Sequence, residues 1–402
     1  MHSLLLLALA APDWPEFRGP TGQGVSTAKR VPTKWSPTEN VAWKTDIPGF
    51  GWSSPVVAGG KAYLTTAVAK DKQVSLRALC LDAAKGKILW DEEVFEKKAV
   101  AMHGKNSHAS PTPIVRDGKL YVHFGHYGTS CLELSGKSVW KNDSLAWKPV
   151  HGTGGSPVIV DGLLVFSRDG ADVREVVALD IKDGKAKWQT ERSAISKAQS
   201  RFSFSTPLVI EVGGKKQIIS PGSDVVGAYD PKDGKEIWRC SYSGYSVIPR
   251  PVFAHGLLFL ATSYNNSAAL AVDPTGKGDV TETHLKWTLK RNAPHTPSML
   301  AVGDDVCMVS DSGAASCVEA KTGEVRWTKR LPGKGYSASP ILADGKIYFL
   351  SEDGVCTVVK PGGEYKEVAR NELKEPTLAS PAAIDGALFL RTKKSLYRIG
   401  KE

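Results

Sequence analysis

Two neighbouring stretches decide how this chain folds: Ser156-Pro157-Val158-Ile159-Val160-Asp161-Gly162-Leu163-Leu164-Val165-Phe166, and its continuation Ala178-Leu179-Asp180-Ile181-Lys182-Asp183-Gly184-Lys185-Ala186-Lys187-Trp188. The first is two short apolar runs joined by Asp-Gly, a hairpin signal because such turns need residues that accept positive φ. The second is an apolar strand that ends in a small residue, any residue and an acid. A glycine then lets the chain turn, and a fourth strand is closed by tryptophan.

The same unit recurs along the chain. It opens at Ser54-Pro55, Ser110-Pro111, Ser156-Pro157, Thr206-Pro207, Arg250-Pro251, Thr296-Pro297, Ser339-Pro340 and Ser380-Pro381, at intervals of 41 to 56 residues. The tight turn starts four or six residues after each proline; both offsets are even, so the strand keeps one face inward. Closing halves recur at Cys80-Leu81-Asp82 with Trp90, Cys131-Leu132-Glu133 with Trp140, Ala228-Tyr229-Asp230 with Trp238, and Cys317-Val318-Glu319 with Trp327. Ala271-Val272-Asp273 reaches Trp287 across an insertion.

Four short strands per unit at this period predict propeller blades, and eight openings predict an all-β, eight-bladed β-propeller. The copy that starts at Pro381 has only three strands. Asn40-Val41-Ala42-Trp43-Lys44 reads as a closing strand with no opening before it, so the N-terminal strand is expected to close the last blade and remove the free sheet edge. Trp43, Trp90, Trp140, Trp188, Trp238, Trp287 and Trp327 are expected to fill the gaps of about 10 Å between blades. Cys80, Cys131, Cys317 and Cys356 occupy the small-residue slot and read as buried small hydrophobes. Cys307 and Cys317 also face each other across a predicted hairpin, where a disulfide would be the exception among the thiols.

Composition agrees with this reading. The 402 residues include 39 glycines, 24 prolines and 11 tryptophans, and 41% hydrophobic with 23% charged residues excludes a disordered chain. The division expected is a probable signal peptide over 1–11, an N-terminal arm over 12–38 and one propeller domain over 39–402. The apolar run 4–11 is too short to span a bilayer, and its Ala8/Ala10 spacing suits a cleaved export signal. The net charge of +10 is spread over turn lysines such as Lys87, Lys137, Lys185 and Lys235, which argues for a solvated rim and against nucleic acid. No P-loop, nucleophile elbow or H-E-x-x-H motif is present.

The unit resembles the PQQ-like repeat of quinoprotein-type eight-bladed propellers, and the resemblance runs from about Asn40 to Glu402. The arm Asp13-Trp14-Pro15-Glu16-Phe17-Arg18-Gly19-Pro20 is similar to the start of exported PQQ-binding-like propeller proteins. That family contains dehydrogenases holding pyrroloquinoline quinone (PQQ) with calcium, and non-catalytic scaffolds of outer-membrane assembly. The chain departs from the catalytic kind: no two cysteines are adjacent, and no Asn/Asp/Glu set matches the calcium ligands. The resemblance therefore implies an exported, non-catalytic, monomeric propeller of the periplasm or cell envelope, binding an envelope protein or a small-molecule ligand. The alternative it implies is a PQQ-dependent oxidoreductase of the alcohol or sugar dehydrogenase type.

In a propeller the segments leading into each first strand converge on the central channel. Those segments supply the candidate ligand-binding residues Trp52, His108, His151, Arg201, Phe204, Tyr245, Arg250, His295 and Tyr336, with Arg201 and Arg250 as charge partners for an anionic or planar ligand. Arg250 stands where the other units carry Ser or Thr. No metal site is expected: His123 and His126 sit three apart on a predicted strand and turn, pointing to different faces. No catalytic residue is assigned.

Overall fold

The Asp-Gly and Gly-Gly turns close hairpins, most with positive φ at both corner residues, as at Asp161 (48°) and Gly162 (77°). The computed structural model describes residues 13–193, 202–265 and 267–400. These residues form eight small antiparallel sheets in a ring, an eight-bladed β-propeller. Blade 1 runs through Val56–Ala58, Lys61–Lys70, Gln73–Asp82 and Ile88–Lys98, and each later blade repeats that order from the axis outward. The last blade is completed as expected: Val41–Asp46 pairs antiparallel with Ser395–Ile399.

The small slot residue and the closing tryptophan lie directly opposite one another on adjacent strands: Cys80 with Trp90, Cys131 with Trp140, Ala178 with Trp188, Ala228 with Trp238. A bulge follows immediately in each case and bends the strand there. The indole N–H then reaches the neighbouring blade. Trp90 donates to the Leu134 carbonyl at 3.0 Å, Trp140 to Ile181 at 2.8 Å and Trp188 to Pro231 at 3.0 Å. The neighbour's motif glycine has to receive that ring. A Cβ on Gly184 would lie 2.4 Å from Trp140, and one on Gly234 2.5 Å from Trp188. The glycine therefore serves close approach as well as turning. Trp238 departs from the pattern: its N–H bonds the Gln217 side chain, whose amide reaches the Pro274 carbonyl of the next blade. The insertion after Asp273 lays Gly278–Asp279 as a parallel fifth strand along blade 4.

Two expectations need correction. The first strands of blades 2 and 6 are Ile114–Arg116 and Leu300–Val302. Their openings are thus Thr112-Pro113 and Ser298-Met299, two residues later than Ser110-Pro111 and Thr296-Pro297. A slip of two residues preserves which side chains face inward, so alternation alone could not expose it. Cys317 is also not a free thiol. It is the direct cross-strand partner of Cys307 at 4.0 Å between Cα atoms, and the two form a disulfide. Cys80, Cys131, Cys240 and Cys356 are free and buried.

The N-terminal arm lies across one face of the disc. Trp14 exchanges two backbone hydrogen bonds with Val57 of blade 1, and Pro15 accepts one from Val115 of blade 2. Arg18 donates to the Met299 carbonyl of blade 6, the Gln23 side chain accepts from the Phe253 N–H of blade 5, and Gly24 with Ser26 pairs Leu342 of blade 7. The arm ends on blade 8, where the Lys29 N–H meets Asp385. Residues 1–12, including the expected signal, lie outside the described residues.

Candidate functional site

The hydroxyl that opens each unit does more than occupy a small space. The Ser54 N–H donates to Thr112 Oγ1, Thr112 N–H to Ser156 Oγ, and Ser156 N–H to Thr206 Oγ1, each at 2.9 Å. On the other side Arg250 N–H donates to Ser298 Oγ, Ser298 N–H to Ser339 Oγ, Ser339 N–H to Ser380 Oγ and Ser380 N–H back to Ser54 Oγ, at 2.9–3.1 Å. Seven of the eight joints around the channel are welded this way. The signal was present in the sequence, since the residue before the first strand is specifically hydroxylated in every unit but one.

The exception is Arg250. With no acceptor to offer Thr206, its guanidinium bonds the Pro207 carbonyl of blade 4 at 3.0 Å and turns to the arm, donating to the Phe17 carbonyl at 2.6 Å and pairing with Glu16 at 3.3 Å. Glu16 also lies 3.8 Å from Arg116. Burial pushes the Glu16 carboxyl up, against the pull of the two guanidiniums. Arg250 is thus a clamp on the arm and not a ligand-facing group, which corrects the expectation.

The arm closes one end of the channel and leaves the other open. The result is a cup of about 300 Å³ with Phe17 in its floor and all seven ring hydroxyls in its lining. Its walls are Trp52, His151, Phe202, Phe204, Tyr245 and Tyr264, and His103, Lys105 and Asn106 stand at the mouth. The aromatic wall is continuous: Phe202 lies edge-on to His151 at 5.0 Å and to Tyr245 at 5.8 Å, and Tyr245 lies 6.3 Å from Tyr264. Lys105 reaches across the mouth to Glu352 of blade 7 at 2.7 Å.

Of the nine expected residues, Trp52, His151, Phe204 and Tyr245 line this cup. Four others do not. Tyr336 is fully buried with its hydroxyl on the Pro332 carbonyl. His108 is bonded through Nδ1 to the Tyr127 hydroxyl at 3.0 Å. His295 is held at its backbone N–H by Asp311 and packs edge-on against Tyr264, outside the cup lining. Arg250 has been placed above, and Arg201 lies outside the described residues. The floor Phe17 and the hydroxyl ring were missed by sequence reasoning, because neither sits in a segment leading into a strand as an unusual residue. His123 and His126 are both buried around Trp147, but no group of three metal-ligating side chains occurs among the described residues.

The cup lining contains hydroxyls, an amide, imidazoles and an amine, but no carboxylate. Calcium selects carboxylate and carbonyl oxygens, so this donor set does not fit the PQQ–calcium pair of the dehydrogenase relatives.

The family model described as outer membrane protein assembly factor BamB matches residues 25–146, 79–300 and 271–362. The assembly factor BamB of Yersinia pestis is 25% identical over 214 residues, covering 49% of this chain and 52% of that protein. The chain spans about half the length of the curated relatives of that name which it matches. Among solved structures, BamB from Moraxella catarrhalis superposes with a TM-score of 0.58 at 13% identity, covering 89% of this chain and 99% of that one. A europium-containing methanol dehydrogenase superposes with a TM-score of 0.68 at 12% identity, covering 96% and 89%. At such identities the two structures share the fold, which by itself carries no activity.

Proposed function

Because the chain belongs to the PQQ-like repeat family described as outer membrane protein assembly factor BamB, we propose that it is a non-catalytic disc of the cell envelope that binds a protein partner or small ligand at the open end of its channel. The observation that carries this reading is the asymmetry of the channel. The arm seals one end, and the other presents an aromatic cup without the carboxylates that a calcium-quinone centre requires. The Cys307–Cys317 disulfide supports an oxidising compartment. No helix among the described residues is long and apolar enough to cross a membrane.

Two measurements test it. A photo-crosslinker placed at Tyr264 should trap a reproducible envelope partner or ligand from native extract, and the Trp52→Ala/Tyr245→Ala variant should lose it while melting close to the parent. Purified protein given PQQ and calcium should not oxidise alcohols or sugars in a dye-linked assay; sustained turnover would replace the scaffold reading with the dehydrogenase one.

A further inference from the structure

The ring hydroxyls are half satisfied, and always on the same half. A hydroxyl oxygen accepts, and its single proton donates. In all seven residues the oxygen takes an N–H from the neighbouring blade, while the proton meets no acceptor among the described residues. These side chains are nonetheless buried, with exposures of 1% at Thr112 and Ser298 and 5% at Ser380. A hydroxyl that already accepts is polarised toward donating, and a buried donor without an acceptor is costly. Seven such donors face one cup. The Trp52 indole N–H in its wall is a further buried donor with no partner.

The buried charges behind the cup lining are mostly positive. Arg391, 2% exposed, donates to the Ser53 and Thr65 carbonyls and touches no carboxylate. Arg250 is the eighth member of the ring, and Arg18 follows the floor residue Phe17 with its Nε and Nη1 unpartnered. Against these three buried guanidiniums stands Glu16, the other buried carboxylate, Asp169, being paired with the buried Arg192. At the mouth, Glu352 is already neutralised by Lys105. In a low-dielectric interior such an imbalance acts strongly on whatever enters.

Resting on the reading of the open channel end as a binding site, we propose that the cup selects a small ligand by a terminal oxyanion, which the hydroxyl ring holds on the channel axis while the aromatic wall packs its apolar body. An oxyanion needs only donors, and donors are what the ring offers. A cation is opposed by the three buried guanidiniums near the cup, although each ring oxygen keeps one lone pair beside the N–H it accepts. Water also satisfies the ring protons and returns its own to the remaining lone pairs, so it is the competitor that an oxyanion has to displace.

The test uses the purified full chain and three probes of one shape: 4-iodobenzoate, neutral 4-iodobenzamide and cationic 4-iodobenzamidine. Calorimetry should give the carboxylate at least tenfold tighter binding than the amide and no measurable binding of the amidine. Anomalous scattering should place iodine toward the mouth with the carboxylate among the hydroxyls. Ser339→Asp keeps an acceptor for the Ser298 N–H while adding negative charge, and it should weaken the carboxylate at least tenfold and admit the amidine. Ser156→Asp does the same across the ring if the first variant folds poorly. Amidine binding as tight as carboxylate binding, iodobenzoate seated elsewhere, only ordered water in the ring at millimolar probe, or unchanged selectivity in a folded variant would each overturn the proposal. If the carboxylate fails while Trp52→Ala/Tyr245→Ala still loses the cross-linked partner, the ligand class falls and the docking reading stands. If the carboxylate binds in the cup and cross-linking is unaffected by Trp52→Ala/Tyr245→Ala, the protein-partner half of that reading falls and its small-ligand half stands.

Discussion

The two ends of the channel are built from the same eight strands and carry opposite kinds of polar chemistry. At the sealed end, ionised groups are buried and paired: Arg250 with Glu16, Phe17 and Pro207, and Arg116 near Glu16. At the open end the lining is mostly neutral, with hydroxyls carrying spare protons and His151 disfavoured from charging by burial, and its one ion pair, Lys105–Glu352, is partly exposed at the mouth. The contrast teaches that one substitution in a repeat can divide its labour. Seven units kept the hydroxyl that binds neighbour to neighbour, and the one that took arginine gained a bolt for the arm.

The largest effect should come from that bolt. Arg250→Ser completes the hydroxyl ring, giving Thr206 the acceptor it lacks, yet it strands Glu16. Removing one partner of a buried pair costs about 3–5 kcal/mol, so urea unfolding should show a large net loss despite the added ring bond. Adding Glu16→Gln should recover much of it. If Arg250→Ser alone is as stable as the parent, the sealed end is not held by charge.

Acid should separate blade 2 from the arm next. His123, 2% exposed, bonds Thr129 at 2.8 Å and is depressed to about 3 by burial and by its neighbour His126. His126 has no partner for either nitrogen and is depressed to about 4 by burial and then by His108. The unfolded chain binds these protons near pH 6.5, so stability from neutral imidazoles is complete above that pH and falls as pH drops toward 4, by about 1.4 kcal/mol per histidine per pH unit. Glu16, raised in the folded state, gains nothing from deprotonation and should not weaken in mild acid. Hydrogen exchange at pH 5 should therefore accelerate around blade 2 before it accelerates in the arm; the reverse order would contradict the contrast.

Much of the fold was legible because the repeat samples the same physics eight times. The Asp-Gly turns, the slot opposite tryptophan and the orphan strand at Trp43 each state a local requirement that the ring satisfies. The site was less legible for two reasons. First, alternation has a period of two, so it could not distinguish Ser110 from Thr112 or Thr296 from Ser298, and the hydroxyl ring is visible only in the correct register. Second, the arm has no copy elsewhere in the chain. Nothing periodic in Glu16-Phe17-Arg18 tells that it crosses the disc from blade 2 to meet Arg250 of blade 5, so an arginine beside the channel read as ligand-facing. Trp52, Phe204 and Tyr245 were readable because they are large residues in short segments with only one place to go. Tyr336 and His295 share that description, but Tyr336 is buried in the core and His295 packs against Tyr264 outside the cup lining, set by neighbours that no local rule names.

The smallest effect should come from the mouth itself. Lys105 and Glu352 close over the cup at 2.7 Å, but the lysine is half exposed, and exposed pairs contribute between nothing and about 1 kcal/mol. Lys105→Ala should thus leave the melting temperature within about a degree, since no backbone group of either blade depends on the amine. It removes a side chain that spans blades 2 and 7 above the only open end of the cup. Access should therefore quicken where stability does not change, and stopped-flow quenching of Trp52 by iodide should show a faster second-order rate for the variant. Iodide suits the measurement because the walls and ring carry no carboxylate to repel it. The freed Glu352 works against it, and raising salt screens that repulsion within about 10 Å. An unchanged rate at high salt would mean that the Lys105–Glu352 pair does not limit entry, and a melting point lowered by many degrees would mean that the open end is held together as firmly as the sealed one.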